Sequence, residues 1–169
     1  MSILSQEIFQ QPDVIRKLID SETEHVIQLV NDLHGRYKYM VIAARGSSDN
    51  AARYAQYLFG AHNKIQVSLA TPSLFTLYQS PPRMDGALVL AVSQSGQSPD
   101  IIEVIAEGKR QGCPTLAITN APNSPLALAA EFHIDIHAGP EKAVAASKTY
   151  TASLAALGLF STAINPTPE

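Results

Sequence analysis

A chain of 169 residues, 46% of them apolar and none of them tryptophan, is long enough to bury one core and has neither a disordered nor a fibrous composition. Its formal charge of −3 is spread along the chain with no lysine or arginine run, which argues against a nucleic-acid or anionic-membrane surface, so an anionic ligand has to be caught locally by backbone and hydroxyl groups. Cys113 has no internal partner, no apolar stretch approaches a membrane span, and Met1 to Pro12 lacks the basic-then-apolar order of a signal peptide; a cytoplasmic protein is expected.

Taken in chain order, Pro12 to Asp20 reads as a short helix with Val14, Leu18 and Ile19 on one face. Ser21 and Glu24 are spaced as a capping box for a second helix running to about Leu33. From Tyr39 onward, short apolar strands alternate with helical segments. The strands are predicted at Tyr39–Ala44, Ile65–Ala70, Ala87–Val92, Pro114–Thr119 and Phe132–Ile136. The first, third and fourth are nearly all apolar, as strands covered by helices on both faces are. Thr71-Pro72, Ser98-Pro99 and Ser124-Pro125 each place a hydroxyl N-cap before proline, and Gly112 stands where a left-handed cap would end the helix Pro99–Gln111. A last helix is predicted over Ala146–Ile164, and the proline-rich residues Asn165 to Glu169 read as a linker. The expectation is a single α/β domain over residues 1–164. Helices fill 1–35, and 39–164 form a three-layer α/β/α core around a five-stranded parallel sheet.

In such sheets ligands sit beyond the carboxyl ends of the strands, and three loops leave strand ends there to enter helices. Arg45-Gly46-Ser47-Ser48-Asp49-Asn50 follows the first strand and Ser93-Gln94-Ser95-Gly96-Gln97-Ser98 follows the third. Both are rich in glycine and hydroxyls and both open a helix, so their N–H groups, hydroxyls and helix dipole can hold phosphate without lysine. The same composition also serves a plain turn with an N-cap, and either loop alone is compatible with that. Two such loops after central strands can converge on one ligand. The third, His137 to Lys148, carries Glu141, Lys142 and Lys148 in an otherwise small, apolar segment, which also fits a solvated loop. His25, His34 and His62 fall on helices or their ends at solvated positions, and His137 is the one histidine near the expected pocket. No His, Cys or carboxylate cluster has metal-ligand spacing, and neither metal nor cofactor is expected.

Gly46-Ser47-Ser48, Ser93-Gln94-Ser95-Gly96 and the run from Ala138 through Glu141 to Lys148 together resemble the sugar-isomerase (SIS) family, whose fold is flavodoxin-like. The likeness extends from Glu7 to about Ile164. It is similar to the isomerase half of glucosamine-6-phosphate synthases, and more closely to the SIS-type glucosamine-6-phosphate deaminases. The resemblance implies a hexosamine or hexose 6-phosphate ligand whose phosphate sits on Ser93, Gln94, Ser95, Gly96 and Ser98. Gly46, Ser47 and Ser48 would line the pocket, with the Val144 backbone and Lys148 toward the sugar. Arg45 stands where the synthases often have cysteine, and Ala146 where they have serine. Members of this group carry a second SIS domain that holds the proton-transfer glutamate and ring-opening histidine. Glu141 is the one carboxylate expected near the sugar here. Two alternatives remain: a non-catalytic phosphosugar-sensing module and a stand-alone single-domain isomerase. The last helix, apolar on nearly every face, also predicts a homodimer in which a second copy covers it.

Overall fold

The computed structural model describes residues 1–165, so the linker-like tail expected after Ile164 lies almost wholly outside the described residues. Helix α1 (Ile3–Phe9) is followed by α2 (Gln11–Leu33), β1 (Tyr39–Ala44) and α3 (Ser47–Leu58), which runs into a single π-helical turn at Phe59–Asn63. Then come β2 (Val67–Leu69), the one-turn α4 (Ser73–Thr76), β3 (Ala87–Val92), α5 (Pro99–Arg110), β4 (Thr115–Thr119), α6 (Pro125–Ala129), β5 (Phe132–Asp135) and α7 (Lys148–Ile164). The five strands pair in parallel in the order β2-β1-β3-β4-β5. Because the side-chain period of a strand is two, alternate residues feed two cores. Met40, Ile42, Leu88, Leu90, Leu116 and Ile134 face α2, α3 and α7, whereas Val41, Ala43, Val89, Ala91 and Ala117 face α4, α5 and α6. β3 is buried at all six positions, which explains its uninterrupted apolar sequence.

Two predicted helix starts fail: α4 has Pro72 rather than Thr71 at its N-cap and no side-chain cap bond, and no helix begins at Ser21. Ser21 is no cap: Val14, Leu18, Glu22, Val26, Leu29 and Leu33 form one buried stripe, and a helix broken at Ser21 would interrupt it. The helix over Ile3–Phe9, unpredicted, starts at Ser2, whose hydroxyl accepts from the Ser5 N–H at 3.1 Å. The second strand is shorter than 65–70, because Lys64 turns left-handed (φ 59°) and the Ile65 N–H is spent on the Phe59 carbonyl at 3.1 Å. Gly112, at φ 75°, ends α5 in the left-handed conformation its position suggested.

The last helix departs from the reasoning that made it an interface. It is flanked by α2 and α3, and Phe160 packs edge-on against Phe59 with ring centroids 5.8 Å apart. Its buried side includes Ala152, Ala156, Leu157 and Phe160, while Leu154 and Leu159 are half-buried within the domain. One chain therefore covers most of α7. Exposed apolar side chains stand instead on α1, α2 and α3, among them Phe9 at 72%, Ile19 at 46%, Ile27 at 49% and Tyr57 at 79%.

α5 lies unusually close to the sheet at Gly108, where an added Cβ would come within 2.8 Å of Val89 Cγ2 and 3.0 Å of Val89 Cβ. Val89 is fully buried and stiff at χ1, so it cannot swing aside. Gly108→Ala gains about 1 kcal/mol in helix propensity, but overpacking a core contact costs about 1–3 kcal/mol. We expect net destabilisation, read as a lower urea midpoint at unchanged m; a higher midpoint would show that α5 can move off the sheet.

Candidate functional site

The sheet order reverses between β1 and β3: the chain moves outward from β1 to β2, then returns and moves the other way through β3, β4 and β5. Helices leaving the two central strands therefore cover opposite faces, and a crevice opens between their carboxyl ends. The two serine-rich loops sit there. Register pairs Ala44 with Val92, which brings Arg45 beside Ser93.

Each loop is held by its own backbone. Gly46 adopts φ 58°, ψ −132°, a conformation that side chains disfavour, and it turns the chain from β1 into α3 with no side-chain cap. In the second loop the Gln94 carbonyl accepts from the Asn120 N–H and the Thr119 hydroxyl, both at 3.1 Å, and the Gly96 carbonyl accepts from the Leu126 N–H at 3.1 Å. Gly96 has φ 62°, and a Cβ there would lie 2.1 Å from Ser124 Oγ. Only glycine fits, so the loop lies flat against the start of α6. Ser93 is buried, Ser98 half-buried, and Gln94 and Ser95 exposed.

The two helix starts that border this crevice have no side-chain cap. α5 and α6 begin with the same Ser-Pro pair. Ser124 caps α6 by accepting from the Ala127 N–H at 3.3 Å, whereas Ser98 makes no such bond and α3 has no side-chain cap either. The Ser98 hydroxyl and the N–H groups of Ser47, Ser48 and Asp100 thus have no hydrogen-bond partner among the described residues, whereas Pro99 lacks an N–H and Ile101 and Ile102 already donate to the Ser98 carbonyl. One interaction that sequence reasoning missed crosses this mouth: Arg45 Nε donates to Asp100 Oδ2, 2.5 Å away in the first turn of α5. A long-range pair of this kind leaves no spacing signal in the sequence.

The third loop is pinned at three points. The Asn120 side chain accepts from the Ala138 N–H at 2.9 Å and donates to the Gly139 carbonyl at 2.7 Å. Buried Glu7 of α1 accepts from the N–H groups of Lys142 at 2.6 Å and Ala143 at 3.2 Å. Glu141 accepts from the N–H groups of Ser147 at 2.9 Å and Thr149 at 3.2 Å, and from the Thr149 hydroxyl. Burial raises the Glu141 carboxyl, but the Thr149 hydroxyl and the N–H groups at the start of α7 outweigh it and hold the group below its ordinary value. The carboxylate therefore works as the cap of α7, which is why that helix begins at Lys148 rather than Ala146. Lys148 is buried and donates to Gln10 Oε1 at 2.8 Å, at the joint between α1 and α2. Val144 projects fully exposed from the loop.

His25, His34 and His62 are exposed, as their places on helices and helix ends suggested, and two of them also have a polar neighbour. His25 Nε2 lies 2.8 Å from the His133 carbonyl, and His62 Nδ1 lies 3.2 Å from Ser161 Oγ. His137, left-handed at φ 51°, places Nε2 2.7 Å from Glu22 Oε1 and so ties the end of β5 to α2 rather than facing the crevice. Burial pushes His133 down, against the opposing charges of Asp135 and Glu22. Among the described residues, no group of three His, Cys, Asp or Glu side chains is placed to hold a metal, and no helix is long and apolar enough to cross a membrane.

A cavity of about 380 Å³ adjoins the first loop, lined by Arg45, Gly46, Asp49, Ala70, Thr71 and Ser73. A larger one of about 490 Å³ lies beside the far end of α5, away from the strand carboxyl ends. Its charged groups already pair, Arg110 with Glu103 at 2.5 Å and Glu107 at 2.7 Å, so size alone does not make it the site.

Residues 36–163 match the SIS domain family, and the chain belongs to it. It is 33% identical over 165 residues to a glutamine–fructose-6-phosphate aminotransferase (isomerizing) of Streptococcus pneumoniae, covering 94% of this chain and 27% of that protein. A candidate phosphosugar isomerase from Silicibacter pomeroyi DSS-3 superposes with a TM-score of 0.93 at 36% identity, over 97% of this chain and 50% of that one. The C-terminal domain of glucosamine-fructose-6-phosphate aminotransferase from Francisella tularensis superposes at 0.83 with 28% identity, over 96% and 47%. The chain thus spans about a quarter of the curated relatives it matches and half of these solved chains.

Glu141 as a cap carries a pH prediction. Its folded value is depressed, so its stabilisation is complete above the ordinary carboxyl value of 4.5 and disappears as the pH falls through the lower folded value. We expect Glu141→Gln to be less stable than the parent at neutral pH and the two to converge in acid. A stability gap unchanged down to pH ~3 would mean that the carboxylate charge contributes nothing.

Proposed function

We propose that this chain binds the phosphate of a hexosamine or hexose 6-phosphate in the crevice between β1 and β3. The observation that carries this is the pair of uncapped, serine-rich helix N-termini meeting at the point where the sheet order reverses. In this reading the phosphate oxygens take N–H groups and hydroxyls from Ser93, Gln94, Ser95 and Ser98. Gly46, Ser47 and Ser48 close the other side, and Val144 and the Lys148 region border the sugar.

Family membership and the two aminotransferase relatives support an aminosugar-phosphate enzyme as the larger setting. In the finer proposal that enzyme is a deaminase. The sugar ring opens, a proton moves from C2 to C1, and the resulting C2 imine is hydrolysed to release ammonia and a ketose 6-phosphate. Phosphate binding supplies positioning energy, and proton transfer needs a carboxylate or imidazole close to C1 and C2. Glu141 is occupied as a cap, so we assign it the placement of the loop beside the sugar and assign proton transfer to a second SIS-like half. The coverage of the relatives supports such a half. A homodimer belongs to the same proposal, now supported by the exposed Phe9, Ile19 and Ile27 rather than by α7.

Binding is testable by calorimetry with glucosamine 6-phosphate. Ser95→Ala with Ser98→Ala should cost about 1–3 kcal/mol, the range for hydrogen bonds to a charged group; unchanged affinity would remove the phosphate from this loop. The 169-residue chain alone is expected to bind without effective turnover, since acid–base assistance worth roughly 10²–10⁴-fold is missing. An ammonia-release assay reaching ordinary turnover, on the order of 1–10³ per second, would show that a residue assigned here to structure is catalytic.

A further inference from the structure

Arg45 heads the first loop and departs there from the cysteine common in the synthases. Its surroundings give it a task that rests on the phosphate site proposed above. The stretches Arg45–Asn50 and Ser93–Ser98 contain one cationic side chain between them, Arg45 itself. Its backbone stands beside Ser93 in the sheet register, and its guanidinium reaches Asp100 in the first turn of α5, so the side chain spans the mouth of the proposed cradle. Only Nε is engaged. Among the described residues, the two terminal nitrogens have no hydrogen-bond partner, and the side chain is 58% exposed.

Asp100 is the counterpart. A carboxylate in the first turn stabilises a helix through its dipole. Here it also places a negative charge, only 22% exposed, at the N-terminus where a dianion would sit. Its Oδ1 accepts from the Ile101 N–H at 3.1 Å, and its Oδ2 is covered by Arg45. An uncovered Asp100 would repel the phosphate. The other nearby carboxylate, Asp49, already pairs with Arg53 at 3.0 Å. Guanidinium is the cation suited to serving two anions at once: it stays charged, and it presents N–H donors on separate edges of a rigid plane.

We propose that Arg45 is a further phosphate ligand that works by counter-ion exchange. With the crevice free it neutralises Asp100; with a hexose 6-phosphate bound, its terminal nitrogens donate to the phosphate. The pair thus selects for a doubly charged phosphoryl group over neutral sugars, and Asp100 sets the affinity by competing for the guanidinium.

A merely structural latch between the loops makes the opposite forecast for one variant, which gives the test its sign. Glucose 6-phosphate and unphosphorylated glucose are titrated into the whole chain by calorimetry, with melting temperatures as fold controls. Arg45→Ala should weaken glucose 6-phosphate binding about ten- to a hundredfold, the factor for a hydrogen bond between charged groups. Arg45→Lys should recover part of the loss, and Asp100→Asn should tighten binding severalfold. If Arg45→Ala does not fold, Arg45→Gln takes its place with the same expectation. Should Arg45→Ala and Asp100→Asn both weaken binding, or both leave it unchanged, while the Ser95/Ser98 variant loses affinity, the exchange is overturned and the cradle stands. If the parent chain does not distinguish glucose 6-phosphate from glucose, or the serine variant binds as the parent does, the cradle fails and the role of Arg45 fails with it.

Discussion

The site depends on one topological constraint, the reversal of strand order between β1 and β3. All five strands are parallel, so every connection must cross a face of the sheet, and a reversal sends the helices after β1 and β3 to opposite faces. Complete burial of β3 fixes this arrangement, because its two alternating sets of side chains feed the two cores at once. Slipping the register by one residue would exchange the two sets and ruin both cores. The carboxyl ends of β1 and β3 are therefore held side by side by hydrophobic packing far from any ligand, and chemistry at the crevice needs only short loops.

Those loops are rigid through small contacts rather than through charge. Gly96 is flattened on Ser124, the Gln94 carbonyl takes two donors from the end of β4, and Gly46 carries the turn that aims α3. The third loop follows another rule, since its apolar groups are mostly alanines and its one larger aliphatic side chain, Val144, is exposed. It is pinned through carboxylates and an amide that accept backbone N–H groups: Glu7 from the first helix, Glu141 from within, and Asn120 from the end of β4. Buried polar groups of this kind cost little only when fully paired, so each pinning residue specifies one loop path and penalises the alternatives.

Much of the fold was legible because it rests on local pattern. Apolar runs gave β1, β3 and β4 within a residue, and Ser-Pro pairs gave the starts of α5 and α6. Patterns competing at one place misled. Ser21 with Glu24 imitates a cap inside α2, where the stripe from Val14 to Leu33 prevails, and the apolar composition of α7 suggested an uncovered helix that α2 and α3 in fact enclose. The candidate site was visible as serine and glycine around two strand ends. Its long-range pairs were not: Arg45 with Asp100 is 55 residues apart, Glu22 with His137 115, and Glu7 with Lys142 135. No periodicity encodes such separations. Glu141 illustrates the remaining ambiguity, since a carboxylate near a helix start fits both a base and a cap until its donors are seen.

The central claim, that a sugar phosphate docks on the N-termini of α3 and α5, is tested most directly by following backbone amide resonances during titration with glucosamine 6-phosphate. Saturable shifts are expected at Ser47 and Ser48 and from Ser93 to Ser98, with the amides around Glu103, Glu107 and Arg110 unmoved. Shifts confined to that second group, beside the larger cavity at the far end of α5, would contradict it.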